Sequence, residues 1–469
     1  LKPYEFQEKL ISRVRAAFGR TKRVLLQLCP GGGKTVIAAE ISRLSATKSF
    51  RVWFICHRAE LIFQTAKTYS NFGLEYGFIA AGYQQGSGSA IQICSIQTLA
   101  HRLGTVKPPD LMIFDECHHL GAAGWTRVKN YYPKAYVLGL SGTPIRLDGK
   151  SLGDHFHEMI LGPSSRWLMD EGFLAEYDLY CPSRPDVSQV HLVAGDYNKH
   201  EIDEVMSSTS ITGDVIEFYL DKGLGKRAML FATSIKRSKA YAEDFRSQGV
   251  QAVHLDGKTD RGLRREMSLA VAEGQIDLLC NVNLFGEGYD LSAQAGKDCP
   301  IQVLLDAQPS LSLSRVLQMQ YRTLRRQQGK AIIGDFSGNC FNSDGTVKHG
   351  LPDDDREWSL EATKKTARKS KPEEREIYIR QCPAPCHKVT RGSPTECPKC
   401  GREFEVRARK VEEVEGELVK VDKEMIRRKA KEENRNARTL PDLEALGRSR
   451  GYKPGWAAHI YKARKGRSW

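Results

Sequence analysis

Through the first 340 or so residues, short runs of β-branched and apolar residues alternate with stretches whose apolar positions recur at helical spacing. Short runs without polar interruption suit strands buried on both faces, as parallel sheets covered by helices require. The first half predicts strands at Val24–Leu28, Val52–Cys56, Ile91–Ser95, Leu111–Asp115 and Val137–Ser141. The pattern then repeats at Ala228–Thr233, Ala252–Leu255, Ile276–Val282, Ile301–Asp306 and Ala331–Phe336. Two successive sets imply two separate sheets, hence an α/β chain with two large domains.

The stretch from about Ile145 to Gly225 joins the sets, with helical patches and Pro/Gly breaks. After Gly350 the apolar runs stop. The expected division is therefore 1–150 and 226–350 for the two α/β domains, with 151–225 connecting them. A polar linker follows at 351–376, a cysteine module at 377–404 and a charged segment at 405–439. Residues 440–469 regain apolar spacing at Leu440, Leu443, Leu446, Trp456, Ile460 and Tyr461, enough for a small helix pair joined at Gly451–Gly455.

Composition sharpens this in one respect. The formal charge is +14, but residues 356–469 carry 30 Lys+Arg against 18 Asp+Glu, so the excess lies almost wholly in the last quarter. A localised basic segment favours a polyanion, because phosphate contacts release counterions, although a solvated mixed-charge tail has the same composition. No apolar run approaches a membrane span, and the first residues lack the basic-then-apolar layout of a leader. Eight of the twelve cysteines are scattered singly, several inside strand-like runs, as buried free thiols of a reducing compartment are. A cytoplasmic protein is expected.

The run Leu28-Cys29-Pro30-Gly31-Gly32-Gly33-Lys34-Thr35 follows a strand and opens a helix. Glycines let backbone N–H groups approach phosphates, the helix N-terminus adds a favourable dipole, Lys34 can reach the β/γ-phosphates, and Thr35 can hold Mg²⁺. Leu28 stands where the strict pattern has glycine. Asp115-Glu116-Cys117-His118 follows a predicted strand, where a carboxylate can bind the metal beside the phosphate loop. There Asp115 would hold Mg²⁺, Glu116 would orient and deprotonate the attacking water, and His118 would couple the site to its surroundings. Taken singly, such residues are more often a capped helix start; a phosphate loop some 80 residues earlier favours the nucleotide reading. His119 reads as structural.

Together with Ser141-Gly142-Thr143-Pro144, these segments resemble motifs I, II and III of the DEAD/DEAH-box superfamily-two helicases. Phe6-Gln7 resembles the adenine-reading glutamine motif, His57–Leu61 with Gln64 motif Ia, and Ser95–Thr98 motif Ib. Phe231–Ser234 resembles motif IV, Thr259 with Arg264 the segment after it, Gly286–Asp290 motif V, and Gln318–Arg325 motif VI. The resemblance covers roughly residues 1–350. It implies two tandem RecA-like domains with ATP in the cleft between them. Gln7, Gly31, Gly32, Gly33, Lys34, Thr35, Gly288 and Asp290 would bind the nucleotide, and Gln318, Arg322 and Arg325 would join catalysis from the second domain. Arg58, Ser95, Thr98, Ser234, Thr259 and Arg264 would contact nucleic acid. Tyr321 departs from the family, which has glycine before the first arginine. Within the family the chain is most similar to the RadD-like bacterial and phage helicases associated with DNA repair and recombination. The Ser141–Arg146, Gly286–Asp290 and Asp335–Asn339 segments and the trailing cysteines carry that likeness.

Cys382, Cys386, Cys397 and Cys400 form two pairs ten residues apart. Four thiolates on two turns suit tetrahedral structural Zn²⁺, in a zinc ribbon too small to fold without it. The first pair is wider than usual, which leaves His387 as a substitute ligand. Basic residues around the ribbon and at the chain end, interleaved with Tyr452, Trp456 and Tyr461, suit backbone contact plus base stacking, and suit equally a small aromatic core. The expectation is an ATP-dependent DNA helicase or translocase, monomeric, using ATP, Mg²⁺ and Zn²⁺. An RNA helicase is an alternative, as is an ATP-switched loading factor that docks a replication or single-strand-binding protein.

Overall fold

The computed structural model describes residues 2–83, 88–146, 149–182, 185–193, 195–207, 209–282, 284, 291–342, 346–361, 379–391, 394–404, 439–449 and 457. The chain divides into two compact units, Leu1–Glu405 and Val406–Trp469.

In the first unit, β1 (Arg23–Gln27), β2 (Val52–Cys56), β3 (Gly77–Ile79), β4 (Ile91–Ser95), β5 (Leu111–Phe114), β6 (Tyr136–Ser141) and β7 (Glu158–Leu161) form one sheet. Its order is β3-β4-β2-β5-β6-β1-β7, and every pairing is parallel. β2 and β5 are buried along their whole length. A second sheet uses β8 (Tyr177–Tyr180), then, after a short antiparallel pair β9 (Leu192–Val193) and β10 (Asp196–Tyr197), β11 (Ala228–Phe231), β12 (Ala252–Leu255), β13 (Leu278–Asn281), β14 (Val303–Asp306) and β15 (Ala331–Asp335). It is also parallel, in the order β12-β13-β11-β14-β15-β8. All ten expected strands are present. The stretch read as a connector adds an edge strand to each sheet, β7 to the first and β8 to the second.

The polar stretch after Gly350 departs from a loose linker. Leu351, Pro352, Asp353 and Asp354 are buried, and the Arg356 guanidinium donates to the carbonyls of His349, Leu351, Pro352 and Asp354 at 2.7–3.2 Å. The chain then reaches the first domain, where the Leu360 carbonyl accepts from Leu152 N, Gly153 N and Ser151 Oγ at 2.8–2.9 Å. Residues 362–376 lie outside the described residues. One apolar cluster joins the domains, running from Leu26 and Ile113 through Leu28, Cys29, Leu168 and Leu174 to Leu317, Tyr321 and Leu324.

The cysteine module pairs β16 (Ile379–Gln381) with β17 (Val389–Arg391) antiparallel. It lies on the open edge of β8 through an isolated bridge between Tyr180 and Lys388. Lys388 pairs with Asp178, and Lys399 Nζ donates to the Tyr180 hydroxyl at 3.1 Å. An uncovered strand edge invites wrong pairing, and here the module covers it. In the second unit the helix Leu440–Ser449 buries Leu443 with Ala457 in a small apolar contact. Residues 405–438 and most of those after Ser449 lie outside the described residues, with the basic and aromatic tail positions predicted there. Among the described residues no helix is long and apolar enough to cross a membrane.

Candidate active site

The C-terminal ends of β1, β6 and β5, neighbours in the first sheet, carry the phosphate-loop, Ser-Gly-Thr and Asp-Glu segments. Parallel sheets place ligands at such ends. The helix Lys34–Ala46 starts at Gly33, whose φ of +87° is shared by Gly31. A Cβ at Gly31 would lie 2.8 Å from Leu174 Cδ2, and one at Gly33 would collide with Gln7 Nε2, so conformation and space both require glycine. Leu28, the departure from the strict pattern, is fully buried and fills the space that Gly32 leaves by having no side chain. Gln7 accepts from Tyr4 N at 2.9 Å and donates to the Gly32 carbonyl at 3.0 Å, which ties it to the loop. Lys34 Nζ lies over the same loop, 3.3 Å from the Leu28 carbonyl, and Thr35 follows it in the helix's first turn.

Asp115 follows β5 and is 7% exposed. Burial, then the adjacent Glu116 charge, pushes its carboxyl up to about 7, against the pull of Lys34. A divalent cation would return such a carboxyl to its ionised form. Glu116 holds a left-handed backbone, φ 48°, where only a constrained non-glycine residue is found. Its Oε2 is buried without a hydrogen bond, and His118 Nδ1 lies 3.4 Å away. A carboxylate oxygen held this way has lone pairs to offer a ligand. Glycines for phosphate, a raised carboxyl for a cation and an unsatisfied carboxylate oxygen fit a nucleotide with its metal.

From Glu116 a polar chain leads across the domain boundary. His118 Nδ1 is 3.3 Å from Ser141 Oγ, which accepts from Thr143 N at 3.2 Å. Thr143 Oγ1 then meets Ser314 Oγ at 2.5 Å, and Ser314 sits on the helix Leu313–Gln320 of the second domain. That helix carries the buried Gln318 and leads into Arg322 and Arg325. Leu174 forms an isolated bridge with Arg325 while its side chain abuts Gly31, so the arginine segment lies beside the phosphate loop. His119 packs among the rings of His57, His118 and Trp125, with centroids 4.3–5.9 Å apart.

The nucleic-acid candidates divide between the domains. Arg58 Nη1 reaches the Leu284 carbonyl at 3.4 Å, and Ser95 donates to Gln97, whose amide holds the His57 carbonyl. Thr98 accepts from Ala81 N at 3.1 Å, and Ser234 donates to Asp203 at 3.0 Å, as Thr233 also does. Thr259 joins an Asp256 turn that its carbonyl links to Arg264 Nε at 3.0 Å. Arg264 also forms a cross-domain ion pair with Glu60 at 2.8 Å. Gly288 and Asp290 lie outside the described residues. Sequence reading missed Ser314, Asp203 and the Glu60 pairing. Asp203 falls in the connector, where no motif signals it, and the other two are long-range partners.

The four module cysteines bring their sulfurs within 4.8 Å of one another. Cys382 and Cys400 are 3.6 Å apart and Cys386 and Cys397 3.8 Å, against about 3.8 Å for sulfurs of a tetrahedral zinc. Burial raises Cys397, but hydrogen bonds from the N–H groups of Cys400 and Lys399 and from the Cys400 and Cys386 thiols together outweigh it and bring the thiol down to about 7. His387 is not in this group.

Residues 1–146 match the family described as the type III restriction enzyme res subunit, and residues 195–327 match the helicase conserved C-terminal domain. A 51.5 kDa protein of Lactococcus phage (isolate 7-9) is 32% identical over 409 residues, covering 86% of this chain and 84% of that protein. The Saccharomyces cerevisiae protein IRC3, which carries the name of an ATP-dependent helicase, is 25% identical over 365 residues, 72% of this chain and 51% of its own. This chain thus spans about half the length of that yeast relative. A DNA 3'-5' translocase, XPB2 of Sulfurisphaera tokodaii, is 30% identical over 149 residues, 31% of this chain and 32% of its own. Among solved structures, the ATP-dependent type ISP restriction-modification enzyme LlaBIII bound to DNA shares the fold with a TM-score of 0.54 at 16% identity, covering 72% of this chain and 28% of that one.

Proposed function

The chain belongs to the superfamily-two helicases, ATP-hydrolysing motors that act on nucleic acid, and we propose from that premise that it translocates on or unwinds DNA in replication, repair or recombination. The observation that carries this is the polar chain from Glu116 through His118, Ser141 and Thr143 to Ser314. It ties the position that would activate water to the helix of the opposite domain.

In this reading Lys34 and the loop N–H groups would hold the triphosphate, and Thr35 and Asp115 would hold magnesium. Bound there, magnesium would neutralise charge on the phosphate oxygens. The Glu116 carboxylate orients the attacking water and takes its proton, and His118 senses that change. Arg322 and Arg325 offset charge spreading over the transferred group only while the domains are together, which couples hydrolysis to closure. Zinc on Cys382, Cys386, Cys397 and Cys400 would be structural, folding the module that covers β8. DNA rather than RNA is favoured by the DNA-translocase name of a relative, while the basic last quarter of the chain suits a phosphate backbone of either kind.

Strand displacement tests this. Partial duplexes of DNA and RNA, with 3′ or 5′ overhangs, are incubated with ATP and either the wild type or Glu116→Gln. ATP-dependent displacement of DNA, lost in the variant, is expected. Displacement of RNA alone would overturn the DNA assignment, and hydrolysis with neither displacement nor a dependence of its rate on single-strand length would point to a switch.

A further inference from the structure

Tyr321 stands where the family has glycine, at the end of the helix Leu313–Gln320 and directly before Arg322. It is 3% exposed. Its hydroxyl is hydrogen-bonded to Ser165 Oγ and donates to the Pro352 carbonyl at 3.1 Å. Ser165 opens the helix Ser165–Asp170 between the sheets, and Pro352 lies on the segment that returns to the first domain. The ring packs in the apolar cluster with Cys29, Leu174, Leu324 and Leu351. Cys29 belongs to the phosphate loop, its carbonyl accepting from Gly32 N at 3.1 Å, and its thiol neighbours the Ser165 and Tyr321 hydroxyls. One phenol therefore joins four segments: the phosphate loop, the connector helix, the arginine segment and the return segment. Alongside, Ala175 N donates to the Leu324 carbonyl at 2.9 Å, with Leu174 against Gly31.

We propose that Tyr321 is a positioning residue that holds Arg322 at a set distance from the phosphate loop through its buried ring and through its hydroxyl, which meets Ser165, Pro352 and the Cys29 thiol. A glycine would leave a ring-sized cavity at this junction and free the backbone just before Arg322. The arginine's stabilisation of the transferred group depends steeply on distance, whereas triphosphate binding rests on loop groups that Tyr321 does not replace. The consequence is a split: turnover depends on Tyr321 and ATP affinity does not.

This inference rests on the role proposed for Arg322, and the variants separate the two. ATPase kinetics at saturating DNA are compared for wild type, Tyr321→Gly, Tyr321→Phe, Ser165→Ala, Tyr321→Phe/Ser165→Ala and Arg322→Ala. Tyr321→Gly should lower kcat roughly ten- to a hundredfold with KM for ATP within about twofold. Tyr321→Phe, which keeps the ring, should recover most of that loss and leave a deficit of about threefold to tenfold. Ser165→Ala, which leaves the phenol on Pro352, should lose no more than Tyr321→Phe, and the double variant should be no worse than Tyr321→Phe, because phenylalanine already removes the bond to Ser165. If Tyr321→Gly does not fold, the Phe, Ala and double variants carry the test by that non-additivity. Unchanged kcat in the Tyr321 variants, or a rise in KM alone, overturns the positioning role while Arg322→Ala still loses turnover. Full turnover in Arg322→Ala would instead remove the reading it rests on.

Discussion

Replacing Arg264 by glutamine removes the positive partner of a pair that crosses from one domain to the other. Its Nη1 lies 2.8 Å from Glu60 Oε1, and the two side chains are 12% and 20% exposed. At that separation and an effective dielectric near 20, the gross attraction is roughly 6 kcal/mol. Desolvation cancels most of it, so a net coupling of about 1–2 kcal/mol is expected, above the ~0.5 kcal/mol of an exposed pair. Glu60→Gln, Arg264→Gln and the double variant form a cycle, read by urea denaturation at low and high salt. The bond from Arg264 Nε to the Thr259 carbonyl is lost in the single and the double alike, so it drops out of the coupling. Coupling should be present at low salt and shrink in high salt. Additivity within about 0.3 kcal/mol would refute the pairing. Arg264 would then be free for nucleic acid, as its sequence position suggests, and Arg264→Gln alone should flatten the salt dependence of DNA binding.

Thr143→Val or Ser314→Ala cuts the cross-domain hydroxyl contact and should lower DNA-stimulated hydrolysis several-fold while the DNA-free rate and KM for ATP hold, measured by steady-state ATPase. The purified protein should contain about one zinc per chain, and Cys397→Ser should lose it, by elemental analysis. Hydrogen exchange at Tyr177–Tyr180 should then accelerate, since the module covers that strand. Burial, with Lys129 and Arg146 beside it, depresses His155 to about 4. Its folded value is below the unfolded one, so its stability is present above about pH 6.5 and lost as pH falls through 4. His155→Gln should make the fall in urea midpoint between pH 6.5 and 4.5 shallower, and an unchanged slope would count against it.

The ten strands read from the sequence are legible because most lie inside a sheet, where burial on both faces demands an uninterrupted apolar run. The strands overlooked in the two large sheets, β3, β7 and β8, are all sheet edges, and the others, β9, β10, β16 and β17, belong to two-stranded pairs. β8 reads Tyr-Asp-Leu-Tyr, and its aspartate is paired with a lysine of the cysteine module, a partner 210 residues away. The return segment looks like a polar linker in the sequence for a related reason. Asp353 is buried, and its carboxylate is taken up by Tyr177 and Arg166, 176 and 187 residues away. Polarity signals a loop only when its partners are local. The phosphate loop and Asp115–His118 are recognisable because turn geometry, strand end and helix start are encoded in consecutive residues. Ser314, the pairing of Glu60 with Arg264, and the surroundings of Tyr321 depend on contacts between distant segments, and nothing at those positions names the partner in advance.

The most direct test is steady-state ATP hydrolysis with no polymer, single-stranded DNA, duplex DNA and RNA, with Lys34→Ala as control. Strong stimulation by DNA, abolished in Lys34→Ala, is the predicted result. A rate indifferent to every polymer would contradict the account.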